Sequence, residues 1–407
     1  MNCRYCAAPL KLCFLDLGVV PPSNAYLSGA DLQNQEKTYP LRVLVCTQCW
    51  LVQTEDFLGA GDLFRPDYAY FSSTSSSWLN HAQKYCDFII SRLGLSTDSF
   101  VVEIGSNDGY LLKNFLSAGV PCVGIEPTAS TAEAAEKIGI PVIQKFFGEN
   151  LASSMVSSGQ QADLIVGNNV LAHVPDINDF THGLARLLKP EGVVTLEFPH
   201  LLRLIEDCQF DTVYHEHFSY LSLTVVRQIL HAAGIKIWDV EELPSHGGSL
   251  RVFGALASSQ RDIKPGVARI MEEEKNKGLM DVKTYREFQS RAEKIRDRLL
   301  RFLKDCKQKG KKVAAYGAAA KGNTLMNYAR VTSDLLPYVC DAAPSKQGKY
   351  LPGSRIPIYD PAILVQDEPD FILILPWNIA SEVVAQNRPL LTAKTQFITC
   401  VPEMKNW

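Results

Sequence analysis

The sequence predicts an α/β protein in three parts: a small unit built around four cysteines, a parallel sheet covered by helices on both faces, and a second, smaller α/β unit. Three observations carry this expectation. Two CxxC pairs, Cys3/Cys6 and Cys46/Cys49, lie near the start of the chain. Between about 63 and 258, short apolar runs (FVVEIG, PCVGIE, ADLIVGN, GVVTLEFP) alternate with helical stretches, the pattern of strands buried on both faces of a parallel sheet. After Gly310 the pattern restarts with KVAAYGAAAKGNTLMN, LPYVCD and DFILILPW. The expected division is 1–62, 63–258 and 259–407, the last part opening on a charged helical linker.

In the first unit each CxxC brings two thiolates to one point through a tight knuckle. Four thiolates at tetrahedral geometry favour Zn²⁺, and a closed four-cysteine set leaves no open position for catalysis. PLRVLVC supplies an apolar strand between the pairs, and a Pro/Ser/Asn-containing loop precedes it. The alternatives are a redox CxxC and incidental cysteines. Cys13 lacks a pair partner, and the six remaining cysteines are scattered as small core residues are.

The second unit opens on VVEIGSNDG, Val101 to Gly109. An apolar strand runs into Glu103 and then a turn containing Gly105, Ser106, Asn107 and Gly109, where glycine lets a ligand approach the backbone closely. A helix is expected over Tyr110 to Ala118. The next strand, VGIEP, ends in Glu126 about 20 residues past the turn, the βαβ position for an acid that holds a ribose diol. The turn reads ExGxxxG and lacks the triple-glycine cradle for a pyrophosphate. A nucleoside with a small charged tail therefore fits better than a dinucleotide, and S-adenosylmethionine is the candidate; an ordinary strand–turn–helix is the alternative. Asn168 and Asn169 end the following strand, where the carboxyl edge of a parallel sheet builds its site, and His173 lies four residues beyond.

FDTVYHEHFSYLS then crowds Tyr214, His215, Glu216, His217 and Tyr220 into seven positions. His215-x-His217 with Glu216 is a possible metal set, but its spacing is not the i, i+4 pattern of helical zinc sites. Acid–base chemistry suits the run better, because histidine titrates near neutrality and neighbours set its tautomer and basicity. PSHGGSLR brings His246 to the end of a strand, in either a packing or a contact role, within an antiparallel pair (KIWDVEEL, SLRVFGAL) expected at the sheet edge. Upstream, DYAYFSSTSSSW places Tyr68, Tyr70, Ser72 and Ser73 before a helix that can lie over the cofactor; a solvated linker is the alternative.

In the third unit Gly317, Lys321, Gly322, Asn323 and Thr324 would suit a phosphate at a helix N-terminus, and the next strand ends in Cys340-Asp341, an acid placed as in NAD sites. A grip on a diphosphate, an NAD site and a structural remnant all remain open. The formal net charge of −3 and the pI of about 6.3 lack the basic footprint of a nucleic-acid binder. No apolar run is long enough to span a membrane and the N-terminus has no secretory h-region, so the chain reads as cytoplasmic.

VVEIGSNDG with GIEP resembles the first two motifs of class I S-adenosylmethionine-dependent methyltransferases. The ordered set of cysteine pairs, this turn, Tyr-x-Glu-His-Phe at Tyr214 to Phe218, HGGS at His246 to Ser249 and YGAAAKGNT at Tyr316 to Thr324 resembles the sugar C-methyltransferases that act on nucleotide-linked 4-keto-6-deoxyhexoses. The resemblance covers nearly the whole chain. It implies a zinc domain, a class I methyltransferase Rossmann-like domain and a second Rossmann-like domain, with S-adenosylmethionine as cofactor and a nucleotide-linked ketosugar as partner. It also implies that His217 is the base with Tyr214 and Glu216 beside it, and that His173 and Tyr70 are further active-site groups. One family pattern has Asp where His215 stands, and some members have Glu at Ser249. The expected chemistry is removal of the C3 proton by His217, with Glu216 orienting the imidazole and Tyr214 or His173 stabilising an enolate. Three rivals accompany this reading: an RNA methyltransferase with a zinc module, a non-catalytic sugar-nucleotide binder, and an NAD-dependent oxidoreductase.

Overall fold

The structure, a computed structural model, describes residues 1–63 and 71–407, so Tyr68 and Tyr70 lie outside the described residues. In the first unit β1 (Leu12–Val20), β2 (Tyr39–Val45) and β3 (Val52–Thr54) form an antiparallel sheet. Alternation drives it: Leu41, Val43 and Val45 are buried while Arg42 between them is exposed, the period-two pattern of a strand with one face in the core. The fourth strand of this sheet, β9 (Ser219–Tyr220), comes from the distant FDTVYHEHFSYLS run and pairs with β3.

The central sheet contains β4 (Val101–Ile104), β5 (Cys122–Ile125), β6 (Val142–Ile143), β7 (Ala162–Asn168), β8 (Leu188–Pro199), β10 (Ile235–Leu243) and β11 (Ser249–Leu256) in the order β10-β11-β8-β7-β4-β5-β6. The strands from β4 to β8 are parallel, whereas β11 runs antiparallel to both β8 and β10. Successive residues of each strand feed opposite faces. Val102, Ile104 and Ile165 pack with α5 (Glu149–Ser157), α6 (Ile177–Leu187) and α8 (Leu223–Ala232). Val101, Leu164 and Val166 pack with α2 (Ser76–Leu93), α3 (Leu112–Ser117) and α4 (Ala129–Lys137). The short α1 (Ala60–Leu63) precedes this unit, and α7 (Leu201–Glu206) follows β8. The helix after the glycine turn is shorter than expected: Gly109, at φ 77°, lies outside the helical region, and regular helix begins only at Leu112.

The linker folds as α9 (Pro265–Asn276), α10 (Val282–Arg286) and α11 (Phe288–Gln308). Glu274 of α9 is fully buried and accepts the N–H groups of Leu223 and Thr224 at 2.6 and 2.9 Å, capping α8. The last sheet has the order β14-β13-β12-β15-β16-β17. Its strands are β12 (Val313–Tyr316), β13 (Val339–Cys340), β14 (Ile358–Tyr359), β15 (Phe371–Ile374), β16 (Gln396–Thr399) and β17 (Lys405–Asn406), all parallel except β17. The helices α12 (Ala320–Tyr328), α13 (Ile363–Asp367) and α14 (Ala380–Asn387) complete it. In sequence order within each sheet, the first five strands of both α/β units, all parallel, run 3-2-1-4-5, with β11 and β10 added beyond strand 5 in the central unit and β17 in the third. This is the doubly wound arrangement with its crevice at the switch point beside strand 1.

Candidate active site

The turn after β4 gathers polar atoms with no partner among the described residues. Both carboxyl oxygens of Glu103, Ser106 Oγ, Asp108 Oδ1, both side-chain polar atoms of Asn168 and Asn169 Oδ1 are buried without a hydrogen bond. Such atoms are costly unless a ligand pairs with them. Glu126 is anchored differently: its carboxylate accepts the Asn107 N–H and the Thr128 N–H, both at 2.9 Å, and so presents its remaining lone pairs in a fixed direction. Burial, and then the neighbouring Asp108 and Glu126, push the Glu103 carboxyl well above the usual range. Three carboxyl groups gathered at one turn disfavour a pyrophosphate and suit a ligand that carries positive charge. Gly105 and Gly109 have φ of 68° and 77°, and a Cβ on Gly109 would lie 3.1 Å from Ile140. Ser72 and Ser73 donate their N–H groups to Asn107 and Asp108, so the short turn that leads into α2 sits on this one.

Across the crevice, the His217 and His173 rings meet edge to face with centroids 4.7 Å apart. His217 Nδ1 lies 2.8 Å from Thr212 O and His173 Nδ1 lies 2.7 Å from Glu216 O. A carbonyl only accepts, so each ring donates from Nδ1 and keeps its lone pair on Nε2. Burial holds His173 down to about 4. Burial and then His173 hold His217 well below the usual histidine range. The Tyr214 ring lies 4.0 Å from His217.

This loop is held from the first unit residue by residue. The pairing of β3 with β9 matches Val52 to Tyr220 and Gln53 to Ser219. Thr54 donates its N–H to Phe218 O and its hydroxyl to His217 O, both at 3.1 Å. Asn24 Nδ2 lies 2.7 and 2.9 Å from the two Glu216 carboxylate oxygens. His215 Nε2 donates to Pro40 O at 3.3 Å. The expected orientation of the imidazole by Glu216 is therefore corrected: the Thr212 carbonyl orients His217, and Asn24 holds the Glu216 carboxylate. The side chains of His215, Glu216 and His217 point to three different partners and do not converge as a metal set.

His246 has a left-handed backbone, φ 53°, and its Nε2 lies 3.2 Å from Asn169 Nδ2. Burial, and then Lys321, hold this imidazole down to about 4. Ser245 ties the turn down by donating to Glu197 Oε1 at 2.9 Å. Burial would raise the Glu197 carboxyl, but His81 and Arg251, at 2.9 and 2.7 Å, bring it down to about 2. The Trp78 ring stacks on His81 at 4.8 Å and meets His246 edge-on at 5.2 Å. From the third unit, Lys321 Nζ donates to Asn378 Oδ1 at 2.6 Å and lies 4.8 Å from the centre of the Trp377 ring. The Trp377 indole N–H donates to Asp211 Oδ2 at 2.7 Å. Burial pushes Asp211 up to about 6, although Lys321 opposes it.

At the N-terminus, the Cys3, Cys6, Cys46 and Cys49 sulfurs lie within 4.8 Å of one another, with Cys3–Cys49 at 3.6 Å and Cys6–Cys46 at 3.5 Å. Thiolates bound at about 2.3 Å around a tetrahedral ion are roughly 3.8 Å apart, so the donor set fits Zn²⁺. Ala7 and Trp50, each following the second cysteine of a pair, close the knuckles at φ 59° and 65°. Gln53 Nε2 lies 3.2 Å from Cys3 Sγ, as an outer-shell partner of a metal ligand does.

Three family models match successive parts of the chain, the last beginning before β11 of the central sheet. Residues 3–64 match the family described as "Putative zinc binding domain", 78–240 "Methyltransferase domain" and 244–402 "C-methyltransferase C-terminal domain". The chain is 35% identical over 402 residues to C-methyltransferase NovU of Streptomyces niveus, covering 99% of this chain and 96% of that protein. The chain belongs to the C-methyltransferase family. It is an S-adenosylmethionine-dependent C-methyltransferase with a zinc-binding-type N-terminal domain and a class I methyltransferase domain. A ubiquinone biosynthesis O-methyltransferase of Salmonella paratyphi A is 28% identical over 111 residues, 26% of this chain and 45% of that protein. Among solved structures, magnesium protoporphyrin IX methyltransferase of Synechocystis with bound SAM is 16% identical, with a TM-score of 0.33, covering 44% of this chain and 80% of that one.

Two expectations for this C-methyltransferase change with the fold in view. Asn323 and Thr324 do not face the crevice as phosphate ligands; both are buried, with Asn323 Nδ2 donating to Ser23 O at 2.6 Å and Thr324 Oγ1 to Val213 O at 2.8 Å. Asp341 accepts the Ala318 and Ala343 N–H groups at 2.7 and 2.8 Å much as Glu126 accepts its own pair. It does not present an open NAD-type acid, because Lys346 Nζ lies 3.4 Å from its carboxylate and donates with the Tyr26 hydroxyl to Ala318 O beside it. Sequence reasoning also missed Asn24, Asp211, Trp377 and the Glu197–His81–Arg251 cluster. Trp377 carried a signal, since it closes DFILILPW just past the end of a strand. Among the described residues, no helix is long and apolar enough to cross a membrane.

Proposed function

We propose that this C-methyltransferase methylates the carbon beside the 4-keto group of a nucleotide-linked 4-keto-deoxyhexose, most simply C3, through an enolate generated by His217. The observation that carries the reading is the pair of imidazoles whose Nδ1–H groups are fixed on backbone carbonyls, opposite a turn lined with unpaired polar atoms. Carbon methylation needs a carbanion equivalent, and a ketone acidifies the neighbouring C–H. His217 Nε2 takes the C3 proton, a role that requires the neutral ring, the form that burial favours. The C–H electron pair moves into the C3–C4 bond as the carbonyl π pair moves onto the C4 oxygen. The Tyr214 hydroxyl stabilises that charge by hydrogen bonding; neutral His173, whose one N–H is committed to Glu216 O, packs against the base and has no proton left to donate.

The groups proposed to hold S-adenosylmethionine are Glu103, Gly105, Ser106, Asn107, Gly109, Glu126, Asn168 and Asn169. When bound, the cofactor supplies an electrophilic methyl group on a sulfonium. The protein's part is to hold the enolate carbon in line with it at near-attack distance. His246 and Lys321 face the sugar-nucleotide from the seam with the third unit, Lys321 as the cation for its diphosphate. Tyr70, outside the described residues, is kept as a further active-site group. The four cysteines hold Zn²⁺ in a closed, structural site.

The test is His217→Asn assayed on a panel of nucleotide-linked 4-ketohexoses, with NMR of the product locating the new methyl group. Methyl transfer should fall by at least about 10³-fold, the scale of a lost general base. Exchange of the C3 hydrogen with D₂O should fall in parallel, while S-adenosylhomocysteine affinity is unchanged. Wild-type exchange rates in the variant would remove His217 from the mechanism.

A further inference from the structure

The third unit has the layout of a nucleotide-binding fold, yet its carboxyl edge is filled by the chain itself. Residues 21–27, the Pro/Ser/Asn loop between the cysteine pairs, lie across it. The Tyr26 hydroxyl donates to Ala318 O at 2.5 Å, and Leu27 and Tyr350 exchange N–H···O bonds of 3.0 and 2.9 Å. Ser23 O accepts Asn323 Nδ2, and Ser23 Oγ lies 3.4 Å from Thr324 Oγ1. Glycines that would admit a phosphate are closed off by packing: a Cβ on Gly317 would meet Pro376 at 2.4 Å, and one on Gly322 would meet Leu375 at 2.8 Å.

The same two segments end on the loop that carries His217. Asn24, next to Ser23, binds both oxygens of Glu216. Thr324 donates to the carbonyl of Val213, the residue following Thr212, whose own carbonyl fixes the His217 tautomer. The loop is thus gripped from the first unit at Glu216 and from the third at Val213, with Ser23 joined to Thr324 between the two grips.

We propose that the glycine-rich turn of the third unit serves as an anchor for the active-site loop, with Thr324 and Asn24 as positioning residues for His217 and Glu216. This deepens the reading above and rests on His217 as the base. A hydroxyl that holds one carbonyl matters here because a displacement of about 1 Å in a reacting group costs on the order of 10²-fold in rate.

The experiment compares Thr324→Val, which keeps the shape and removes the donor, with Thr324→Ser, which keeps the donor, and adds Asn24→Ala from the other side. It uses the full-length, zinc-loaded enzyme. Thr324→Val and Asn24→Ala should lower kcat by about 10- to 100-fold, with KM and the S-adenosylhomocysteine Kd within about twofold of wild type. Thr324→Ser should restore most of the rate. Independently of any substrate, the ring ¹⁵N resonances of His217, assigned by their loss in His217→Asn, should move in Thr324→Val and return in Thr324→Ser. A wild-type kcat in Thr324→Val overturns the proposal, as does a loss of cofactor affinity in step with kcat, which marks a merely structural role. If the wild-type enzyme turns over no 4-ketohexose, the substrate reading fails, and the resonances alone decide: unmoved in Thr324→Val, they overturn the anchor.

Discussion

The two α/β units present the same local design and opposite outcomes. In each, strand 1 of a 3-2-1-4-5 sheet runs into a glycine with positive φ, Gly105 at 68° and Gly317 at 91°. In each, the acid after strand 2 accepts an N–H from that turn, Glu126 from Asn107 at 2.9 Å and Asp341 from Ala318 at 2.7 Å. The difference lies in what faces the edge. In the central unit Glu103, Ser106, Asp108 and Asn168 keep buried polar atoms without partners among the described residues, which marks a place built for a ligand. In the third unit Tyr26, Ser23 and Lys346 bond to that edge from the chain itself, and of the side-chain atoms of its glycine-rich turn only Asn323 Oδ1 is buried without a partner among the described residues. A strand–glycine–helix–acid layout therefore identifies a fold, whereas the accounting of polar atoms identifies a site.

The largest expected effect comes from breaking the closed edge at its source. The loop over it belongs to the four-cysteine unit, so removing the ion with a chelator, or replacing Cys46 by Ser, should release residues 21–27 together with the β3–β9 pairing that holds His217. Small metal domains draw their folding free energy from the ion, on the order of 10 kcal/mol. Methyl transfer should be abolished, and hydrogen exchange at Ala318 and at Phe218 to Tyr220 should rise sharply. S-adenosylhomocysteine should still bind, because the groups proposed to hold it belong to the other unit. Loss of cofactor binding at the same rate as activity would show that the two edges are not independent.

Next in size is a paired substitution at the two acids. Glu126→Ala removes the acceptor of two backbone N–H groups and the proposed ribose contact; S-adenosylhomocysteine affinity should fall by roughly 100-fold, from hydrogen bonds to a charged group worth about 1.5–3 kcal/mol each. Asp341→Ala should leave that affinity unchanged and instead lower stability by about 2–4 kcal/mol in urea, because the Ala318 and Ala343 N–H groups lose their acceptor. Calorimetry and denaturation on the two variants separate a ligand edge from a structural one.

Much of this contrast was out of reach from sequence for a physical reason. CxxC pairs, a glycine turn with an acid about 20 residues on, and ionisable groups crowded at Tyr214 to His217 are local signals, and local chemistry explains their spacing. What holds His217 leaves no such signal. Its orienting partner, five residues away, is a backbone carbonyl, Thr212 O, which has no residue signature, and Asn24 acts across 192 residues on Glu216. Asn323 and Thr324 looked like phosphate ligands because a helix N-terminus after a glycine turn suits either purpose; only packing against Ser23 and Val213 distinguishes them. The split of the HEH run, with His215 turned to Pro40 and His217 to Thr212, likewise follows from the pairing of β9 with a strand of another unit.

A smaller effect should appear on titration. The histidines of the crevice, His173 and His246, have an ordinary value of 6.5 and are held down to about 4, with His217 shifted in the same direction. Between those values the unfolded chain binds protons that the native state refuses, so stability falls as pH drops from about 6.5 to about 4. Asp211, raised from 3.8 to about 6, and Glu103, also raised by burial, have the opposite sign, losing stability as pH rises; three imidazoles against two carboxyls leave the histidines dominant. Thermal midpoints at pH 7 and pH 5 should differ by several degrees, and His246→Asn should shrink the difference. Burial is the first cause of each histidine shift, so an equal dependence in a variant lacking two of these imidazoles would place the sensitivity elsewhere.

The smallest expected effect is the sharpest discriminator between the two edges. S-adenosylhomocysteine at about 100 times its Kd should stabilise the enzyme by roughly 2.7 kcal/mol, whereas NAD at millimolar concentration should leave the melting temperature unchanged. For a dinucleotide to reach Asp341, Tyr26 must give up Ala318 O, Lys346 must leave the same carbonyl, and Ser23 must part from Asn323. Each of these bonds is worth about 1 kcal/mol net, and the loop that makes them is also tied to Glu216 through Asn24. Binding of NAD would therefore have to disturb the active-site loop, so a thermal shift with NAD, particularly one that accompanies a fall in methyl transfer, would mean that the closed edge opens and that the third unit is a second nucleotide site. No shift in wild type, with one appearing in Tyr26→Ala, would instead identify the chain's own loop as the occupant of a cleft whose fold still suits a nucleotide.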